Sequence, residues 1–365
     1  MPASAVVAAQ DNHNKQNETA MAQQAVTTKQ VKKPQKISLG EIKKLIPAHC
    51  FQKSLNKSSA YMIRDLLILS TAFWTYQYLP LIVFWNVYGF IMWCLFVIGH
   101  DCGHQSFSNS WIINDICGHI CHTLIMVPYW PWRYSHWKHH IHHNHHEKDR
   151  SHHWKTNEEF ESLPWYTKLN ARNPLLPFLG WFVYLYFGWF DGSHIIPSSK
   201  LYKDERTNTE KLKNLFSNAM LATFLFIVFG IFKVSFSTFM IYYIPSWIIF
   251  GFWLFMVTYL QHHTIEGSIT YDDSNFNFVI AGLETIDRKY GYGIDDIHHN
   301  ISDCHVVHHL FFSKIPHYNL KDATNAIRPY LKSKGLYKYK AHDNVIIDFW
   351  KVFFKQNFIG TLSKN

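Results

Sequence analysis

The chain has 365 residues, of which 17% are charged and 17% aromatic. That charge share is low beside the roughly 25% usual in soluble proteins, which argues against an ordinary soluble enzyme. The formal charge of +9 admits nucleic acid, anionic lipid or an acidic protein as partner. Nucleic acid drops out, because no recognisable reading module occurs. The six cysteines, Cys50, Cys94, Cys102, Cys117, Cys121 and Cys304, show no paired spacing, so a disulfide framework is not expected and a reducing environment is.

From Met1 to about Lys36 the chain is rich in Gln, Asn, Lys and Ala, with few large apolar residues. Such a segment cannot bury enough surface to fold, and residues 1–40 are expected to be a disordered tail. Its basic run, Lys29 to Lys36, favours the cytosolic side of any span that follows. Residues 41–345 then read as one membrane domain and 346–365 as a cytosolic C-terminal tail.

Within the domain, a first apolar zone holds two spans, Tyr61–Leu79 and Leu81–Gly99, divided at Pro80. About 20 helical residues cross a bilayer core, so the pair forms a hairpin. A second zone gives Leu215–Phe232 and Phe239–Leu260, with Pro245 tolerable inside a bundle. Two weaker stretches, Ile112–Trp130 and Pro174–Phe190, are read as interfacial or re-entrant helices. Parity decides this: one extra crossing would put the histidine clusters on opposite sides of the membrane. The polar stretch Tyr202–Lys213 reads as a loop. The expected fold is therefore all-α and integral to the membrane, with four transmembrane helices and a cytosolic helical cap.

Three histidine clusters lie close to these apolar stretches. They are His100 and His104; His136, His139 and His140; and His305, His308 and His309. Residues three and four apart share a helical face, so each cluster aims its imidazoles one way. Eight such ligands exceed the four that one zinc takes and suit two metals. Imidazole alone does not choose among iron, copper, zinc and nickel. His262, at the end of the fourth span, is a ninth candidate, and His299 competes with it. Asp101 and Asp303 flank ligands and are expected to orient imidazoles. The run His142, His143, His145, His146, His152 and His153 lies among Glu147, Lys148, Asp149 and Arg150 and reads as a solvated loop. No Glu-x-x-His pair, phosphate loop, or flavin or nicotinamide fingerprint is present, so electrons for oxygen chemistry must come from outside the chain.

In this order and context the three boxes resemble those of the membrane fatty-acid desaturases. Gly99-His100-Asp101-Cys102-Gly103-His104, Trp132-Arg133-Tyr134-Ser135-His136, Thr285-Ile286-Asp287-Arg288 and Ile315-Pro316-His317-Tyr318 are similar to the methyl-end branch, the delta-12 and omega-3 enzymes. So is His299-Asn300-Ile301-Ser302-Asp303-Cys304-His305; Ile46-Pro47-Ala48-His49-Cys50-Phe51 and Asp191-Gly192-Ser193-His194 are nematode-like. Gln105, Trp137 and Lys138 depart from the pattern without touching the ligand positions. The resemblance implies a histidine-box di-iron site with two iron ions held by His100, His104, His136, His139, His140, His305, His308 and His309, with His262 as the extra ligand. It implies O2 as co-substrate, electrons from cytochrome b5 and its NADH-dependent reductase, and residence in the endoplasmic reticulum membrane with both termini cytosolic. The activity expected is insertion of a cis double bond toward the methyl end of an unsaturated acyl chain. A fatty-acyl hydroxylase on the same scaffold and a His-rich membrane metal transporter are the competing readings.

Overall fold

In the computed structural model, residues 37–149, 151–152, 154–173, 175–188, 192–199, 207–341, 344–356 and 360–363 are described. The N-terminal segment to Lys36, together with His153, Trp189, Phe190 and Asp191, lies outside them. Three helices are long and apolar enough to cross a membrane: Leu81–Gly103, Asn208–Ile231 and Phe236–His262. The helix expected as the first span runs Leu55–Trp74 instead of Tyr61–Leu79, because Ser54 accepts from Lys57 N–H and caps it early. Its 20 residues are long enough to cross, but it carries Lys57, Arg64 and Asp65.

The two weaker stretches form helices Trp111–Leu124, of 14 residues, and Leu175–Phe187, of 13. At about 1.5 Å per residue each covers roughly 20 Å, short of the roughly 30 Å hydrocarbon core. Neither reaches across. The loop expected over Tyr202–Lys213 gives way at Asn208 to the third long helix, where Thr207 and Glu210 form a capping box. Pro245 is absorbed by a π turn at Phe239–Tyr243 just before it.

The Leu81–Gly103 helix is the axis on which the site is hung. Its early turns are lipid-like, with Leu81, Ile82, Val83 and Val87 exposed, whereas Ile91 to Gly103 is buried throughout. It packs on Phe236–His262, on Trp111–Leu124 and on Leu55–Trp74. Gly89 permits the first crossing, since a Cβ there would lie 2.4 Å from the Ser246 carbonyl oxygen.

Above these helices the chain forms a cap. Short helices Tyr129–Ile141, His305–Phe311 and His317–Ser333 surround the upper end of Leu81–Gly103. Two parallel two-stranded pairs brace it, Ser268–Thr270 with Gly360–Leu362 and Asp287–Lys289 with Tyr339–Ala341. The C-terminal segment, expected as a tail, folds back instead. Helix Val345–Gln356 buries Phe349, Val352 and Phe353 against Phe255 and Tyr259, and so belongs to the packed core.

Candidate metal centre

The three boxes fall on helix ends that meet beneath the cap. His100 lies in the last turn of Leu81–Gly103 and His104 is its C-cap. His136, His139 and His140 share a face of Tyr129–Ile141, and His305, His308 and His309 belong to His305–Phe311. Ring nitrogens of His100, His104, His136, His140 and His308 all lie within 4.8 Å of one another. Pairs inside this set approach more closely: His104 Nε2 is 3.2 Å from His100 Nε2, and His140 Nε2 is 3.1 Å from His136 Nε2 and 3.2 Å from His308 Nε2. Five lone-pair nitrogens aimed at one point without a carboxylate among them is an arrangement that asks for a cation.

A second set joins His139, His143, His262 and His309 within the same 4.8 Å limit. His262 thus stands among the box histidines, whereas His299 stands apart, 2.7 Å from Asp65 Oδ2. His305 falls in neither set. Its Nδ1–H donates to the Ile301 carbonyl at 2.9 Å, which turns Nε2 toward the interior, where among the described residues it has no partner. Its ring lies 5.3 Å from that of His308 and 4.8 Å from that of His309, beside both sets.

The histidine-rich loop is buried rather than solvated. His143, His145 and His152 are each 2% exposed or less, so the solvated reading of this loop is corrected. The cause is Asp149. Its carboxylate accepts from His139 Nδ1–H at 2.8 Å, from the Asn144 N–H at 3.1 Å, and from the Ser151 and His152 N–H groups at 3.2 Å. One buried carboxylate therefore folds the loop inward and fixes the His139 tautomer, leaving Nε2 free to ligate. His152 joins His139 and Asp149 in a third group within 4.8 Å. The sequence carried a signal for His143: it extends the stripe 136, 139, 140 by another i, i+3 and i+4 step.

Neither of the two aspartates expected to orient ligands hydrogen-bonds a box histidine. Asp101 Oδ1 lies 3.8 Å from His100 Nδ1, and Oδ2 accepts from the His317 N–H at 3.0 Å and its Nδ1–H at 2.9 Å. Asp303 reaches no imidazole and instead receives the Cys304 thiol at 3.5 Å, because the chain turns there to start the box helix. That start is held from elsewhere. The helix has no side-chain cap of its own, and Asp287 Oδ1 accepts the Val306 N–H at 2.8 Å. Next to it the buried Arg288 donates to the Leu260 carbonyl and, at 2.7 Å, to the His263 carbonyl, closing the last turn that carries His262. The Asp287-Arg288 pair thus ties the His262 helix end to the helix of the third box.

Electrostatics favour neutral imidazole. Burial, followed by the neighbouring imidazoles, drives His136, His140, His143, His308 and His309 well below the usual histidine value. Burial takes His305 down to about 3. Lone pairs are therefore available at neutral pH, as metal ligation requires. A slot at the two sets is lined by His100, His136, His139, His262, His305 and His309 together with Trp93, Phe96, Leu185, Leu254 and Val257. Trp132, Trp181 and Tyr184 complete its walls, whereas Trp130 and Tyr134 line a different hollow. An apolar slot ending on two imidazole clusters suits an alkyl chain presented to metals.

Comparison with known proteins agrees with this chemistry. The fatty acid desaturase family model matches residues 72–341. The Delta(12) fatty acid desaturase fat-2 of Caenorhabditis elegans is 37% identical over 326 residues, 86% of this chain and 85% of that one. The Omega-3 fatty acid desaturase fat-1 of the same nematode is 35% identical over 326 residues, 87% of this chain and 79% of that one. The Omega-3 fatty acid desaturase, endoplasmic reticulum, of Nicotiana tabacum is 36% identical over 309 residues, 82% and 79% of the two chains. With the boxes gathered as this chemistry needs and the match running through most of its length, the chain belongs to the fatty acid desaturase family.

Proposed function

We propose that this chain is an O2-dependent acyl-lipid desaturase that places a cis double bond toward the methyl end of an already unsaturated acyl chain. The observation that carries the reading is the pair of buried imidazole sets facing an apolar slot. Relatives of both the delta(12) and the omega-3 kind support a methyl-end substrate.

The residues fit a pair of iron ions. Both ring nitrogens of His143 and Nε2 of His305 are buried without hydrogen-bond partners among the described residues, a cost that a ligand bond at those nitrogens would offset. In this assignment His100, His104, His136, His140 and His308 hold one ion, and His139, His143, His262 and His309 the other, with His305 beside both. When bound, the ions supply activation of O2. The protein's part is positional: the slot fixes one carbon pair against the metals, so geometry rather than bond strength selects the position. The aromatic walls exclude water, Asp149 keeps the His139 imidazole in place, and Asp287 holds the start of the third box helix.

Electrons come from outside, in our reading from cytochrome b5 and its NADH-dependent reductase, and the net charge of +9 suits an acidic carrier. The proposed setting is the endoplasmic reticulum membrane, crossed four times if Leu55–Trp74 joins the three long apolar helices, with both termini and the boxes cytosolic. Expression in yeast fed oleate, then linoleate, followed by fatty-acid analysis, tests the reading. A new diene marks delta-12 action and a new triene omega-3 action. A hydroxy acid would replace desaturation by hydroxylation, and metal uptake with unchanged lipids would overturn both.

A further inference from the structure

Within the second imidazole set, His139 and His309 stand on box helices, but His143 and His262 do not. His262 is the last residue of its long helix and His143 lies just past the end of Tyr129–Ile141, so each depends on what holds the chain beyond it. One strand serves both. Ser268 Oγ–H donates back to the His262 carbonyl at 3.1 Å. On the loop side Asn144, next to His143, donates its side-chain N–H to the Ile269 carbonyl at 3.0 Å, and its own carbonyl accepts the Tyr271 N–H at 3.0 Å.

The other edge of Ser268–Thr270 is closed by the C-terminal segment. Gly360–Leu362 pairs with it in parallel, Gly360 opposite Ser268 and Leu362 opposite Thr270. The Ser363 N–H donates to the Thr270 carbonyl at 2.8 Å, and Asn275 Nδ2–H donates to the Ser363 carbonyl at 2.8 Å. The Gly360 N–H donates to the Lys155 carbonyl at 2.9 Å, which draws in the end of the histidine-rich loop. There the Trp154 ring lies 4.8 Å from that of His263, and the His152 ring lies 4.6 Å from that of His262.

So short a strand pair is weak by itself and holds through close fit. A Cβ at Gly360 would lie 2.4 Å from Thr270 Cγ2 and 3.2 Å from Trp154 Cε3. Thr270 is fully buried, and its β-branched side chain is stiff, so the methyl cannot swing aside. Glycine alone lets the two backbones come this near. The first set has no such dependence: His100, His104, His136, His140 and His308 all stand on or at the ends of other helices. We propose that the strand Gly360–Leu362 positions His143 and His262, and so secures the second ion without bearing on the first. The inference rests on the two-ion reading above and assigns the C-terminal segment a part in it.

Iron per chain, measured by elemental analysis of the full-length protein in detergent after dialysis against a chelator, tests it without turnover. The parent protein should keep both ions. Gly360→Ala should weaken retention of one ion about 10- to 100-fold, the usual cost of disturbing what orients a ligand, and keep the other. Thr270→Ser removes the obstructing methyl, so Gly360→Ala combined with Thr270→Ser should hold both again. Thr361→Ala changes an exposed side chain of the same strand and should also keep both. Both ions retained by Gly360→Ala, or one still lost from the double variant, overturns the inference and leaves the desaturase reading intact. Loss of both ions together from Gly360→Ala overturns it as well, since the strand would then support the cap as a whole. A parent protein that holds only one ion overturns the two-ion assignment, and this inference with it.

Discussion

His143, Asp149 and His152 show how a single carboxylate changes the chemistry of a loop. Next to Glu147 and Lys148, Asp149 reads as one more solvated charge, yet it is the buried hub that four donors meet. Two results follow at the scale of single residues. Substituting His308 by Ala should abolish product and lower bound iron, since it empties one place in a five-nitrogen set. Asp149→Asn should lower metal retention about 10- to 100-fold, the usual cost of losing an orienting carboxylate, because the amide turns an N–H toward His139 or leaves its Nδ1–H poorly held. Iron per protein by elemental analysis, measured beside product yield, checks both. His143→Ala should lose metal as His139→Ala does. If the His143 variant keeps full iron while the His139 variant does not, the second set is wrongly composed.

At the scale of elements, the spacing of the boxes on helical faces was legible, because i, i+3 and i+4 steps speak directly of a shared direction. The devices that hold those helices were not. The third box lacks a local cap, and its substitute, Asp287, is 19 residues upstream of Val306 in a short strand whose pairing is set by distant chain. Only the motif Thr285–Arg288 hinted that something there mattered. Asp287 also gives the fold a pH dependence. Burial pushes its carboxyl up to about 7 from 3.8, although the Val306 N–H and the Tyr337 hydroxyl, at 2.7 Å, both favour the ionised form. The folded state therefore holds this proton more tightly than the unfolded chain. The stabilisation is complete below about pH 4 and is lost as pH rises through 7. Asn stays neutral at every pH, so Asp287→Asn should gain on the parent protein as pH rises, by a few degrees in Tm between pH 5 and pH 8. Melting curves of both proteins in the same detergent at the two pH values measure this. A difference that does not change with pH would remove Asp287 as the titrating group.

For the whole molecule, topology is a matter of parity. Composition and the two apolar zones were enough to place hairpins at Pro80 and near Lys233, because a span needs length and low charge and little else. The packing of the C-terminal helix escaped notice because it depends on contacts far along the chain, such as Phe353 on Phe255, and the inward loop because its hub, Asp149, stands among solvating charges. Three helices satisfy length and apolarity outright, and an odd number would send the chain ends to opposite sides. The two helices of 14 and 13 residues are too short to add a crossing, which leaves Leu55–Trp74 as the candidate for the proposed fourth. Its polar members are spent inside the protein: Asp65 is 1% exposed and paired with His299 at 2.7 Å, and Arg64 donates to the Ile297 carbonyl at 3.0 Å. Charges so satisfied tax a membrane helix far less than free ones. Acceptor loops for N-glycosylation inserted at Tyr78 and at Lys233 should then be modified in microsomes, while acceptors appended to either terminus should stay bare. Modification of one terminus alone would mean an odd number of crossings. In that event Leu55–Trp74 would not cross, and the histidine sets, all C-terminal to it and separated by the paired crossings Asn208–Ile231 and Phe236–His262, would still share one side.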